Sequence, residues 1–468
     1  MKIGKLFFVI SILMGVFISN SFGQSDSLSS DKKDSLPLSE NLLSKGKFHA
    51  HIRSYLMSTD NEKSLTDFYA VAVGAGIGYE SPVIHRFQFG LTGFFIFNAI
   101  SSDLSKLDPV TKIGSRYEVG LFDLTNPSNR NDLDRLEDLY VRYKYHHSKI
   151  EVGRFELNTP FINRQDGRMR GTIEEGIWGE WNEWKGFKIE GGWIRRISPR
   201  STVKWYDVED SYGIYPSGVN ELGTKSDYAG FTKSTGVGLI GLTIQPKTNL
   251  KIQLWNQFAE NVFNTSMIRA DYLMPFSKEV KLQYGFMFIH QEALENGGNS
   301  NPAHAYFGKD NYSNVYSAKI GILTKKLDFS FNFTHISDEG QFLMPREWGR
   351  EPFYTFMPRE RNEGFSQVNA LNTRLAYQFL DGQLKTGLSY GWIKLPSVNN
   401  FAQNKYGLPS YHQINWDLNY SFVHYLKGLS MQLLVVYKKQ MDTLELQPKY
   451  TFNKVNMYHF NWVVDYAF

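Results

Sequence analysis

The 468-residue chain contains no cysteine. That excludes a disulfide framework, a thiolate metal centre and the lipidated cysteine of an anchored precursor. Long apolar runs are missing too. Beyond the first two dozen residues no stretch approaches the 18 apolar residues that a membrane-spanning helix needs, and mean hydropathy is −0.37. Charge of one sign is not in excess: 51 Lys and Arg face 47 Asp and Glu, a formal net charge of +4 to which Lys2 and Lys5 contribute two. Such a balance points to no nucleic-acid partner. No fixed-period repeat occurs, and no His pair has helical metal-ligand spacing.

Aromatic residues are what the chain holds in quantity, 15% of the total. High aromatic content with modest hydrophobicity suits strands that face lipid on one side and water on the other, with aromatic girdles at both interfaces. The last strand shows the pattern. Tyr458, Phe460, Trp462, Val464, Tyr466 and Phe468 share one face, whereas His459, Asn461, Asp465 and Ala467 share the other, with Val463 the exception. A terminal Phe closing such a strand resembles the signal read by the outer-membrane barrel-assembly machinery, which makes Phe468 the expected contact.

At the other end, Lys2 and Lys5 precede the apolar run 6–19, and Ser21 and Gly23 stand three and one residues before Gln24. This predicts a secretory signal peptide over 1–23. The Ser/Asp/Lys-rich residues 24–46 are expected to be a flexible periplasmic segment. The rest, 47–468, is expected to be one all-β domain, a transmembrane antiparallel barrel of about 18 strands in the bacterial outer membrane. Candidate strands lie at 47–57, 68–79, 86–98, 137–146, 149–157, 174–182, 186–195, 230–245 and 249–260. They continue at 262–275, 278–291, 313–325, 326–337, 367–380, 383–393, 412–424, 428–439 and 455–468. Tight joins between them are expected at the periplasmic end. Long connections near 99–136, 158–173, 196–229, 292–312, 338–366 and 394–411 are expected outside.

Parity within strands sorts side chains between lipid and lumen. It puts Tyr140, Arg142, Lys144 and His146 opposite Leu139, Val141, Tyr143 and Tyr145, and places Arg269, Lys281, Lys319 and Arg374 inside, with Lys251 and Lys385. A Lys or Arg facing lipid costs roughly 2–4 kcal/mol near the midplane, so these cations must line a wet interior. They read either as general lumen solvation or as a basic track for anions. Two loops are denser. Residues 153–176 carry Arg154, Arg164, Arg168 and Arg170, and 344–364 carry Arg346, Arg350, Arg359 and Arg361 among Glu, Pro and aromatics. Trp348, Phe353, Tyr354 and Phe356 within one loop predict a structured inward fold held by Arg–carboxylate pairs.

The string Gly153–Arg154, then Asn158-Thr-Pro-Phe-Ile-Asn-Arg-Gln-Asp-Gly-Arg-Met, together with Pro345-Arg-Glu-Trp-Gly-Arg-Glu-Pro-Phe-Tyr-Thr and Pro358-Arg-Glu-Arg-Asn-Glu-Gly364, resembles the OprD family of outer-membrane porins. The cleavage region, Ser-Phe-Gly before Gln24, resembles that of Bacteroidetes precursors. The family resemblance implies an 18-stranded barrel narrowed by loops at 158–173 and 338–366. It also implies a ladder of basic residues leading small carboxylate-bearing solutes to a narrow eyelet. Arg154, Arg164, Arg168 and Arg170 would belong to the first loop of that constriction, and Arg346, Arg350, Arg359 and Arg361 to the second.

Other classes fare less well. Gly387-Leu-Ser-Tyr-Gly391 matches a nucleophile-elbow string but lies inside an alternating strand with no helix after it. His146-His147, if on a strand, would point to opposite faces. No enzyme, metal or cofactor is expected. An energised receptor would need a plug domain before Phe48. The expected function is passive, selective diffusion of small anionic or carboxylate-bearing solutes such as amino acids, peptides and organic acids. A general diffusion porin with little charge selectivity is the alternative. Expected partners are the outer-membrane bilayer and the solutes themselves. Monomer and homotrimer both stay open.

Overall fold

The computed structural model describes residues 45–164, 168–359, 361–443 and 445–468. The expected signal peptide and the expected lead-in up to Ser44 lie outside the described residues. From Lys47 the chain runs through β1 (Lys47–Asp60), β2 (Phe68–Glu80), β3 (Phe87–Ser101), β4 (Arg135–Tyr145), β5 (Ser148–Phe155), β6 (Ile173–Trp184) and β7 (Phe187–Ser198). A two-residue strand β8 (Tyr206–Asp207) follows. Then come β9 (Val237–Lys247), β10 (Leu250–Ala259), β11 (Phe263–Pro275), β12 (Lys281–Ala293), β13 (Tyr312–Leu323) and β14 (Leu327–Ile336). The wall is completed by β15 (Val368–Phe379), β16 (Leu384–Lys394), β17 (Tyr411–Ser421), β18 (Leu429–Gln440) and β19 (Met457–Ala467).

Each long strand pairs antiparallel with its neighbours, and β19 pairs with β1 from His51 opposite Ala467 to Asp60 opposite Tyr458. Backbone bonds of 3.0 Å in both directions between Ala50 and Phe468 extend that seam. The eighteen long strands therefore form a closed barrel, with β8 an appendage on β7. Closure suits a hydrocarbon environment, where no water replaces a missing backbone partner.

Burial is inside out. Tyr458 on β19 and Phe468 just past its end are 57% and 65% exposed, whereas His459 and Asn461 are buried. On β4, Leu139 and Val141 face outward and Arg142 inward. The interior is nevertheless packed. Trp348, Phe342, Phe353 and Phe365 from the 337–367 loop join Trp255, Met267, Met287 and Ile289 of the wall in one apolar cluster. A second cluster gathers Tyr117, Leu121 and Phe122 of the 102–134 loop with Met57, Phe94 and Met457.

Connections alternate in length. The joins 146–147, 185–186, 248–249, 324–326 and 380–383 are short, while 102–134, 199–236, 294–311, 337–367, 395–410 and 441–456 lie together at the opposite end. Long connections mark the extracellular end of outer-membrane barrels.

Three local differences from the sequence reading have clear causes. Residues 230–236 are loop and not the start of β9, because Gly230 and Gly236 sit at φ 77° and 157° and break the extended run. His146 and His147 form the two-residue turn between paired Tyr145 and Ser148, with His146 at φ 46°, so neither ring projects from a strand. The connection 441–456 is as long as its neighbours, although the alternation around it drew no attention to it.

Outward residues at mid-strand test the lipid assignment. Leu388, 53% exposed on β16, should tolerate Ala, whereas Leu388→Arg should cost about 2–4 kcal/mol in denaturant unfolding of the bilayer-reconstituted barrel. A neutral outcome would place that face in water.

Candidate functional site

The cations of the barrel wall are mostly neutralised where they stand. Arg142 binds Glu151 through Nε and Nη2 at 3.0 Å each and reaches Glu80 at 3.4 Å. Lys149 bridges Glu151 and Glu180, and Lys188 bridges Glu180 and Glu190, continuing an alternating chain of charge across β4 to β7. Arg269 holds Asp271 at 2.7 and 3.2 Å, with Tyr354 donating its hydroxyl to the same carboxylate at 2.8 Å. Arg374 pairs with Asp417 at 3.0 Å and donates to Ser389, the serine of the Gly387–Gly391 string, which lies within β16. Lys144, Lys281 and Lys319 share the inward parity and have no ion pair among the described residues. Lys144 and Lys281 stand beside the short turns, as do Lys251 and Lys385. The wall thus departs from a simple basic track, because a carboxylate stands beside Arg142, Arg269 and Arg374.

The two Arg-rich loops meet inside the barrel. Asn163 joins them: its Nδ2 donates to the Arg350 carbonyl at 3.0 Å, its Oδ1 accepts from the Arg350 amide at 3.1 Å, and its own amide donates to the Trp348 carbonyl at 3.1 Å. Trp348 is fully buried and donates its indole N–H to Ser211 at 2.8 Å. Arg346 pairs with buried Glu363 and lies 3.7 Å from the centre of the Tyr406 ring. These contacts fix the 337–367 loop as an inward fold, as its aromatic content predicts.

Individual arginines then divide by environment. Arg154 pairs with Glu175 at 2.8 Å and lies over Trp205. It follows Gly153, whose φ of 122° and close approach to the Leu139 carbonyl leave no room for a Cβ. Arg164 reaches Glu156 at 3.3 Å and is half exposed. Arg168 is buried and donates to the Tyr117 carbonyl at 3.0 Å. Arg170 is 1% exposed and donates to the Leu133 carbonyl at 2.7 Å. Burial, reinforced by neighbouring Arg135, pulls its guanidinium down to about 9. Arg359 is a staple. At φ 77° it donates to His459 Nε2 at 2.9 Å and to Tyr55 Oη and Asn461 Oδ1 at 2.8 Å each, tying its loop to β1 and β19. Beneath it, Thr59 links His459 at 2.8 Å to Glu118 at 2.5 Å. Arg361 donates to the Gly349 carbonyl at 2.6 Å. Arg350 alone of the second group is exposed, stacked 4.5 Å over Phe356.

Residues of these loops help line a cavity of about 740 Å³. Its lining includes Arg116, Arg168, Arg200, Lys225, Arg346, Arg350, Arg359, Arg361, Lys405, Lys449 and Lys454, and no Asp or Glu among the described residues. The acids nearby are withdrawn. Glu363 is held by Arg346, and Glu347 is buried, which pushes its carboxyl up to about 7. Lys405 is buried under Tyr228 and Tyr306, its ammonium 4.7 and 4.9 Å from their ring centres. Desolvation outweighs the nearby Glu363 and lowers its pKa to about 8. Of the sequence-stated candidates, the cavity gathers Arg168, Arg346, Arg350, Arg359 and Arg361; Arg154, Arg164 and Arg170 do not line it. Reading the sequence missed Arg116, Arg200, Lys225, Lys405, Lys449 and Lys454. A signal was present in the basic-Tyr dipeptides Arg116-Tyr117, Lys405-Tyr406 and Lys449-Tyr450, one in each of three long loops.

A closed lipid-facing barrel whose lumen is narrowed by inward loops defines an outer-membrane channel. The family model described as outer membrane porin, OprD family, matches residues 111–379, and the chain belongs to that family. The fold is similar to that of OccAB3 of Acinetobacter baumannii at 14% identity, with a TM-score of 0.71 over 91% of this chain and 99% of the other. OpdK of Pseudomonas aeruginosa, solved with vanillate, gives 13% identity and 0.69 over 91% and 99%. OccK9 (OpdG) of the same organism gives 12% and 0.71 over the same shares. No curated protein sequence matches the chain. Members of the family are channels and not enzymes, and their place is the bacterial outer membrane.

The Arg359 staple yields a prediction. Arg359→Ala removes three side-chain hydrogen bonds from a charged donor and leaves buried His459 and Asn461 without it, a loss of about 2–4 kcal/mol. Released from β1 and β19, the 337–367 loop should be cut faster by added protease and should raise open-channel current noise in planar bilayers. Unchanged cleavage and noise would show that the Trp348, Asn163 and Glu363 contacts hold the loop without it.

Proposed function

We propose that the chain is a passive channel selective for small anionic, carboxylate-bearing solutes, and that it catalyses no reaction. The observation that carries this reading is the cavity lined by eleven Lys and Arg without a described carboxylate. A solute carboxylate entering it loses hydration and gains fixed ammonium and guanidinium donors in exchange. Passage further requires contacts weak enough to release, which suits several cations shared along a path better than one tight clamp. A relative solved with vanillate, a carboxylate, is in keeping with this chemistry. The wall pairs Arg142–Glu151, Arg269–Asp271 and Arg374–Asp417 act as braces in this account, and the loop cations as the selective segment.

Reversal potentials in asymmetric salt test the reading. The native channel should be anion-selective. Arg350→Gln should lower the anion-to-cation permeability ratio three- to tenfold, or about 0.7–1.4 kcal/mol. The pH dependence has a definite sign. With its pKa lowered to about 8, Lys405 is charged below that value and neutral above it, so selectivity should weaken as pH rises through 8. A ratio near one in the native protein would instead favour a general diffusion porin.

Assembly extends the reading to Phe468, proposed as the terminal residue presented to the barrel-assembly machinery. Removing it also deletes the paired bonds to Ala50. The truncated protein should reach the outer membrane with a reduced heat-modifiable fraction on gels. Wild-type yield would rule out that role.

A further inference from the structure

Two kinds of support hold the interior cations, and the difference bears on which anions the cavity takes. In the wall a carboxylate fixes Arg142, Arg269 and Arg374, as Glu151 fixes Arg142, and such a pair presents little net charge to the lumen. For three of the cavity cations, aromatic faces perform that task. Arg350 lies 4.5 Å over Phe356, Lys405 4.7 and 4.9 Å over Tyr228 and Tyr306, and Lys449 4.9 Å over Tyr450. A ring attracts a cation through its quadrupole and contributes no formal charge. The cation is positioned but not neutralised. Lys225, also on the lining, has no ion pair among the described residues either.

These four cations come from four separate loops: 199–236 brings Lys225, 337–367 Arg350, 395–410 Lys405 and 441–456 Lys449. All four line the cavity. A single carboxylate engages one or two such donors and leaves the rest without an anionic partner. The volume of about 740 Å³ falls in the range of roughly 300–1,000 Å³ typical of pockets for drug-sized ligands, well beyond the need of a two- or three-carbon acid.

Resting on the anion-selective reading above, we propose that this cavity is a binding site for solutes that carry two or more anionic groups, phosphate, sulfate or carboxylate, on a body of sugar size. Its loops act as separate arms, each contributing a cation to a different anionic group. Simultaneous engagement makes residence grow steeply with the number of anionic groups, because each added group binds at the effective concentration set by the first.

The full-length protein in planar bilayers tests this by current-block recordings in potassium chloride. The probes are glucose, glucuronate, glucose 6-sulfate, glucose 6-phosphate and fructose 1,6-bisphosphate. Block residence should rise at least tenfold from glucuronate to the bisphosphate. The sulfate and phosphate monoesters distinguish charge from the kind of oxyanion. Lys225 and Lys449 are exposed, so Lys225→Gln and Lys449→Gln leave the packed interior intact, and heat-modifiable mobility checks the fold of each. Each variant should shorten bisphosphate residence at least fivefold and glucuronate residence no more than twofold, and Lys449→Arg should restore it. Equal residence for one and several anionic groups in an anion-selective channel would overturn this inference alone. A channel without anion selectivity would overturn the reading on which it rests.

Discussion

Hydrocarbon offers no hydrogen-bond partner to a peptide group, and everything else in this molecule follows from meeting that constraint. The sheet must close, and it does so where β19 meets β1, with Phe468 and Ala50 exchanging backbone bonds at the last step. Closure creates an inside that is sealed from lipid but open to water. The period of two then assigns each side chain to one solvent or the other. Leu139 and Val141 go to lipid, and Arg142, next after Val141, goes to the lumen.

A wet lumen of this width would be an unselective hole if the loops stayed outside it. They do not. Trp348, Phe342, Phe353 and Phe365 carry the 337–367 loop inward because their apolar surface finds cover in the interior cluster that includes Trp255, Met267, Met287 and Ile289. Asn163 ties this loop to the 156–172 loop, and Arg359 ties it to β1 and β19. The barrier across the pore is thus anchored at several points of the wall, which gives the cavity it helps line a fixed shape.

Charge within the barrel is handled in two ways, and function follows from the contrast. Across β4 to β7 the chain Arg142, Glu151, Lys149, Glu180, Lys188 and Glu190 alternates sign and braces the wall with little net field. In the loops, Arg350, Lys405 and Lys449 lean on aromatic rings, which add no opposing charge. The abundant aromatics consequently do two jobs, as lipid-facing girdle residues outside and as neutral supports for cations inside.

Much of this was legible in the chain itself. Alternation such as that of 458–468 fixes which residues face lipid, because a strand side chain has only two directions to choose from. The hairpin spacing gave eighteen long strands, and clustered Arg and aromatics marked 344–364 as an inward loop. What sequence could not supply was partnership between distant segments. Strand parity puts Arg269 and Asp271 on one face, but the Tyr354 that caps them arrives from a loop 83 residues further along the chain. Arg154 and Arg170 looked equal to Arg350 in the string, yet register gave the first a Glu175 partner and packing buried the second. Lys225, Lys405 and Lys449 drew no notice, since each is an ordinary lysine in its own loop. Local periodicity is encoded residue by residue and determines the wall. The cavity is a sum of side chains from loops far apart in sequence, and only the closed barrel brings their charges into one space.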